Sequence, residues 1–119
     1  MTVRDLLAAP DEDGLGFQRL VNAFVDEFRA AGDRQQQAMI AEGPQRPGRR
    51  EGLVAAVVSA LCRETGREAP AWVRGIYSPE PYFAFPARSF ALRLRLMLES
   101  PPPFRSRNVF VPENYLARA

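Results

Sequence analysis

The chain has 119 residues, a formal net charge of +2 and 46% apolar content, which fits one domain that can bury a core without metal or disulfide staples. It contains no histidine and a single cysteine, so histidine-based acid–base chemistry, Ser-His-Asp triads, His-containing metal sites and internal disulfides are excluded. No apolar run approaches the roughly 20 residues of a membrane helix, and the N-terminus lacks the pattern of a secretory signal, so the expectation is a cytoplasmic protein with no membrane partner.

Thr2 and Asp5 resemble a capping pair, and Val3, Leu6 and Leu7 predict a short helix ended by Pro10. Asp11 to Gly16 is acidic and glycine-containing and reads as a loop. Phe17, Leu20, Val21, Phe24, Val25 and Phe28 then recur at helical spacing, with Arg19, Asn22, Asp26, Glu27 and Arg29 on the opposite face. Gly32 is placed to close that helix in a left-handed cap, and Asp33 to cap a further short helix through Glu42.

Gly43 to Gly52, GPQRPGRREG, is the strongest internal break and predicts a loop with Arg46, Arg49 and Arg50 in solvent. Leu53, Val54, Val57, Val58, Leu61 and Cys62 form a second helical stripe that Gly66 stops and that packs on the first. A buried, inert thiol follows for Cys62. Pro70 suits the first turn of a short helix through Ala71, Trp72 and Val73, with Trp72 anchored against the helix ending at Gly66.

Residues 87–99 alternate like a strand at Phe90, Leu92, Leu94, Leu96 and Leu98. They lack β-branched residues and consist mostly of good helix formers, so the reading is helix. Its circumference is apolar except for Arg88, Arg93 and Arg95, a pattern that implies either a central helix or a face covered by another chain. Pro101 to Pro103 end it, Asn108 to Val111 reads as extended, and Pro112 is placed to start a last helix through Tyr115 and Leu116. The fold class is therefore mainly α, a single compact orthogonal helical bundle over residues 1–119 with Pro-rich loops and a short extended segment near the C-terminus.

Every basic side chain is arginine. Residues 1–69 carry 9 Arg against 11 acids, whereas residues 70–119 carry 7 Arg against 3, so the C-terminal half is the basic pole. Asp11, Glu12 and Asp13 fall in a loop, and Asp26 and Glu27 project in different directions, so neither group suits a shared proton or metal. GLG at 14–16 lacks the rest of a phosphate loop. No catalytic residue, metal ligand or cofactor is expected. The candidate partner-binding residues are Arg93, Arg95, Phe104, Arg105 and Arg107: guanidinium forks suited to carboxylates or phosphates beside one aromatic ring.

The order LVAAVVSALCRETG, APAWV, PYFAFPA, an arginine–leucine helix and ESPPPFRSRNVFVPENYLARA resembles a family of small bacterial antitoxin-like or regulator-associated helical modules over residues 33–119. Members of that family are frequently encoded beside abortive-infection-type nucleotidyltransferases. The resemblance implies a non-catalytic module that binds a nucleotidyltransferase-type toxin. Residues 1–32 supply one short and one long helix, less than the helix-turn-helix domain that precedes the module in some relatives. A transcriptional or nucleic-acid-binding accessory is the alternative, and a homo-oligomer the third class.

Overall fold

The computed structural model describes residues 1–10, 14–84 and 87–117. Thr2 opens α1 (Val3–Leu7) with a reciprocal capping box: the Asp5 amide donates to Thr2 Oγ1 at 3.1 Å and the Thr2 amide to Asp5 Oδ2 at 2.9 Å. These bonds hold the Asp5 carboxyl below its ordinary range. α2 (Gly14–Ala30) begins within the expected loop, whose residues 11–13 lie outside the described ones. Its apolar stripe is buried at Phe17, Val21, Phe24, Val25 and Phe28. Gly32 differs from expectation: its φ is −76°, it is extended, and it stands as the N-cap of α3 (Asp33–Ile40), so the two helices turn without a left-handed residue.

α4 (Arg49–Glu64) starts before Leu53 and is the centre of the molecule, with every residue from Gly52 to Val58 buried. It packs against α1, α2, the short 3-10 turn Ala71–Val73, α6 (Pro102–Arg105) and β2 (Val109–Phe110). The reason it begins early lies at Gly52. A Cβ there would sit 2.6 Å from the Ser78 amide nitrogen and 2.8 Å from the Tyr77 carbonyl carbon, both backbone atoms. Only glycine lets the first turn of α4 lie against that segment, and the neighbouring Gly48 amide donates to the Tyr77 carbonyl at 3.0 Å. Gly52→Ala is expected to destabilise by about 1–3 kcal/mol, because the 77–78 backbone must move away. An unchanged denaturant midpoint would show that the two backbones do not approach.

Arg50 also departs from a solvated role. Its guanidinium lies 3.9 Å over the Phe17 ring and donates through Nη1 to the Ala9 carbonyl at 3.1 Å, joining the end of α1 to α2 and α4. Arg46 and Arg49 are exposed, Arg49 paired with Glu80 at 2.7 Å. Gly66 adopts a φ of 69° and ends α4 as its position implied. Trp72 stands in the turn that packs on α4, as expected, and its side chain also reaches the end of α3. Its indole Nε1 donates to the Ile40 carbonyl at 2.7 Å, and its ring lies on Gly43, where a Cβ would come within 2.1 Å of it. Trp72 thus seals the end of α3.

β1 (Tyr82–Phe83) pairs in parallel with β2, Tyr82 opposite Val109 and Phe83 opposite Phe110. The expected extended segment is β2; its partner strand had no signal of its own, because prolines surround it. The expected last helix is absent. Pro112 starts turns instead, in which Tyr115 Oη donates to Gln18 Oε1 at 2.6 Å and Arg29 donates to the Leu116 carbonyl at 2.7 Å, strapping residues 112–116 onto α2. The whole is mainly helical and compact, and its Cα radius of gyration, 13.5 Å, is that of a close-packed chain of this length. One core cluster runs from Val3 to Tyr115 through all the elements named except α5 (Phe90–Glu99), which rests on a small separate cluster.

Candidate functional site

Ser89 caps α5 by accepting the Leu92 amide at 3.1 Å, and Ser100 ends it. The Ser100 hydroxyl is buried. It accepts the Val111 amide at 2.8 Å and lies 2.6 Å from the Leu96 carbonyl, so one side chain joins the end of α5 to the chain leaving β2. Pro101 follows and the helix stops. Inward, α5 contributes only Leu96 to the cluster formed with Ala87 and Phe110 and flanked by Phe83, whose ring stands 5.2 Å from that of Phe110.

The rest of the helix faces water. Phe90 is 80% exposed, Leu98 71%, Leu94 44%, Met97 42% and Leu92 40%. Of the two arrangements that an all-round apolar helix allows, the central one is occupied by α4, and α5 is peripheral with its apolar side uncovered. At 100° per residue, Met97, Phe90, Leu94, Leu98 and Ala91 fall on one outward stripe about 120° wide. Monomeric proteins seldom expose contiguous apolar patches beyond a few hundred Å², and larger ones mark interaction sites. Sequence reasoning reached the helix but assigned the contact to its arginines. The signal for the apolar stripe was the i, i+4, i+8 spacing of Phe90, Leu94 and Leu98.

The structure separates the five residues singled out from sequence. Arg93 edges one side of the stripe, its Nε donating to the Ala87 carbonyl at 2.8 Å and its guanidinium carbon 5.6 Å from the Phe83 ring centroid. Arg95 edges the other side, and its Nε donates to Glu99 Oε2 at 2.5 Å; exposed Arg88 precedes the extended N-cap Ser89, so it lies outside the helix on which the sequence placed it. That bond holds the Glu99 carboxyl below the usual carboxylate range. Arg105 is exposed and has no side-chain hydrogen bond or ion pair among the described residues.

Phe104 and Arg107 do not fit a surface role. The Phe104 ring is fully buried on α6, edge-on to Tyr115 at 5.5 Å between centroids, so it belongs to the core and cannot touch a partner. Arg107 is half-buried and clamps backbone: Nη1 donates to the Pro103 carbonyl at 2.9 Å and Nη2 to that of Val73 at 3.3 Å. Burial lowers its pKa, and its Nε has no hydrogen-bond partner among the described residues. The run FRSR thus divides by burial, one ring inward, one arginine tying loops together, one arginine outward.

A shallow groove of about 360 Å³ runs beside α5, lined by Leu92, Arg95, Leu96, Glu99, Pro112 and Glu113 among others. An open concavity of about 530 Å³ lies beside Trp72, with the exposed Arg4–Glu42 pair, 2.8 Å apart, on its rim. Among the described residues no three acidic or thiol groups converge on a metal position, and no helix is long and apolar enough to cross a membrane. Cys62 is buried, and burial raises its thiol pKa. The chemistry available on α5 is therefore that of contact: apolar burial between charged edges. Comparison with protein-family models, with curated proteins and with solved structures finds no match to this chain.

Proposed function

We propose that this chain is a non-catalytic protein-binding module that engages its partner through the outward face of α5. The observation that carries this reading is the exposure of Phe90, Leu94, Met97 and Leu98 on a domain whose other helices bury their apolar sides. A helix of this kind, presenting apolar side chains at i, i+4 and i+8, is the geometry that docks into a groove or against another helix. Within this reading the partner class is the nucleotidyltransferase-type toxin that the sequence resemblance implies, with the chain acting as its antitoxin-like companion. Arg88 and Arg105, exposed in the basic half, support the alternative of a nucleic-acid accessory, whose binding would fall steeply with salt.

The test places a photo-crosslinking residue at Leu98 and, separately, compares Phe90→Asp and Leu98→Asp with the parent. Nuclease-treated cells should yield a crosslinked second protein, and both aspartate variants should lose its capture by tenfold or more. Their stability should change by no more than about 0.5 kcal/mol, since both sites lie at the surface. Crosslinks to nucleic acid alone, or undiminished capture by both variants, would reject this face as the binding surface.

A further inference from the structure

We infer that the occupant of the α5 face is an amphipathic helix of a different protein, with an apolar stripe edged by aspartate or glutamate. This rests on the protein-binding reading above and gives the partner's chemistry. The argument is the sign of the charges beside the stripe. Arg93 stands on one edge and Arg95 on the other, exposed Arg88 lies on the chain leading into the helix, and the acid on α5, Glu99, is already held by Arg95. Any helix laid along Phe90, Leu94 and Leu98 brings its own edges against these guanidinium groups. Acidic edges form charge-assisted contacts there, and basic edges meet like charge as the interface loses water.

A second copy of this chain does not fit that requirement. An antiparallel two-fold pairing of α5 with itself sets each edge against the same edge, Arg93 facing Arg93 and Arg95 facing Arg95. A parallel two-fold pairing sets Arg93 against Arg95. Arginine meets arginine in both. Of the carboxylates near by, Glu99 is already bonded to Arg95, and Glu113 lies across the groove that Arg95 and Glu99 line with Leu92 and Pro112. A membrane is also a weaker match, because stable anchoring of a soluble domain takes a larger basic surface or a second insertion signal than three arginines, one of them neutralised, around a ten-residue helix.

The arrangement of charges around the stripe has a further consequence for specificity. Arg93 is held in place by the Ala87 carbonyl and the Phe83 ring, so its charge is pre-positioned at one edge and loses little side-chain freedom on binding. Arg95, on the other edge, is exposed and held only by an i, i+4 pair with Glu99, a weak contact that a partner's carboxylate can replace. Two edges of the same sign, one fixed and one adaptable, reject basic helices while tolerating variation in where the partner places its acids.

The experiment uses the full chain and three synthetic helical peptides sharing one leucine stripe, edged by glutamate, glutamine or lysine, with binding followed by fluorescence anisotropy. Phosphatidylcholine–phosphatidylserine vesicles and sedimentation of the chain alone complete the set. The Glu-edged peptide should bind best and the Lys-edged one worst, a difference of at least tenfold that narrows as salt rises. Leu98→Asp should remove binding of all three, and Arg95→Glu should weaken the Glu-edged peptide and strengthen the Lys-edged one, each by about two- to fivefold. Equal affinity for the three peptides overturns the acidic preference while the protein-binding reading stands. Absence of binding to the Glu-edged peptide overturns the inference, as does a dimer that Leu98→Asp dissociates or vesicle binding that the same substitution abolishes. The Leu98 crosslink decides separately whether the face binds protein at all.

Discussion

Phe24→Ala is expected to cost about 3–5 kcal/mol, a large part of the roughly 5–15 kcal/mol by which a domain of this size is stable. The ring is fully buried, stacked 6.4 Å from that of Phe28, and lies on the side of α2 that meets α1, α3 and α4. Truncation removes the ring's contacts and leaves a cavity that α2 cannot close without drawing away from α4. The melting midpoint should fall by roughly 10 °C or more. Arg19→Ala, on the exposed side of the same helix, serves as control and should change stability by less than about 0.5 kcal/mol. Equal behaviour of the two variants would mean that α2 does not carry the core.

The helices that could be read from sequence are those in which periodicity and packing agree. In α2, Phe17, Val21, Phe24, Val25 and Phe28 show a stripe because one side of that helix meets water. In α4 the same kind of stripe understated the burial, since Ala55 and Ala56 are also enclosed and small residues leave no mark in an apolar pattern. The boundaries were less legible. Gly52 looked like the end of a loop because glycine is a breaker by propensity, and its actual reason for being there, the backbone of Tyr77 and Ser78 beside it, is a contact some 25 residues away in sequence. Gly32 likewise could cap in two ways, and local sequence does not choose between them.

The candidate site shows the same division. That residues 90–99 are a helix followed from composition, and that an apolar circumference needs a cover followed from physics. Which side stays open depends on Leu96, Ala87, Phe110 and Phe83 meeting, a long-range arrangement created by the parallel pairing of β1 and β2. Arginines attract attention as contact residues wherever they occur. Arg107, turned onto the Pro103 and Val73 carbonyls, shows that in a proline-rich turn with few amide donors to spare for regular structure, a guanidinium is equally suited to gathering loose carbonyl oxygens.

Phe104→Ala is the second large effect and separates core from surface within four consecutive residues. The ring sits on α6 where that helix meets α4, and it shares an edge-on contact with Tyr115, itself buried and bonded to Gln18 on α2. Its loss should cost about 3–5 kcal/mol and loosen the strap formed by residues 112–116. Arg107→Ala should cost about 1–2 kcal/mol through the two carbonyl oxygens left without their donor, and Arg105→Ala, at an exposed position, should be near neutral. A combined Arg105→Ala and Arg107→Ala variant therefore mixes a surface change with a structural one, and Arg105→Ala alone is the clean probe of that region. Chemical denaturation of the three single variants, with the slope held constant, should order them Phe104→Ala, Arg107→Ala, Arg105→Ala from least to most stable. A Phe104→Ala protein with parental stability that fails to bind its partner would return the ring to the surface and undo the packing of α6 on α4.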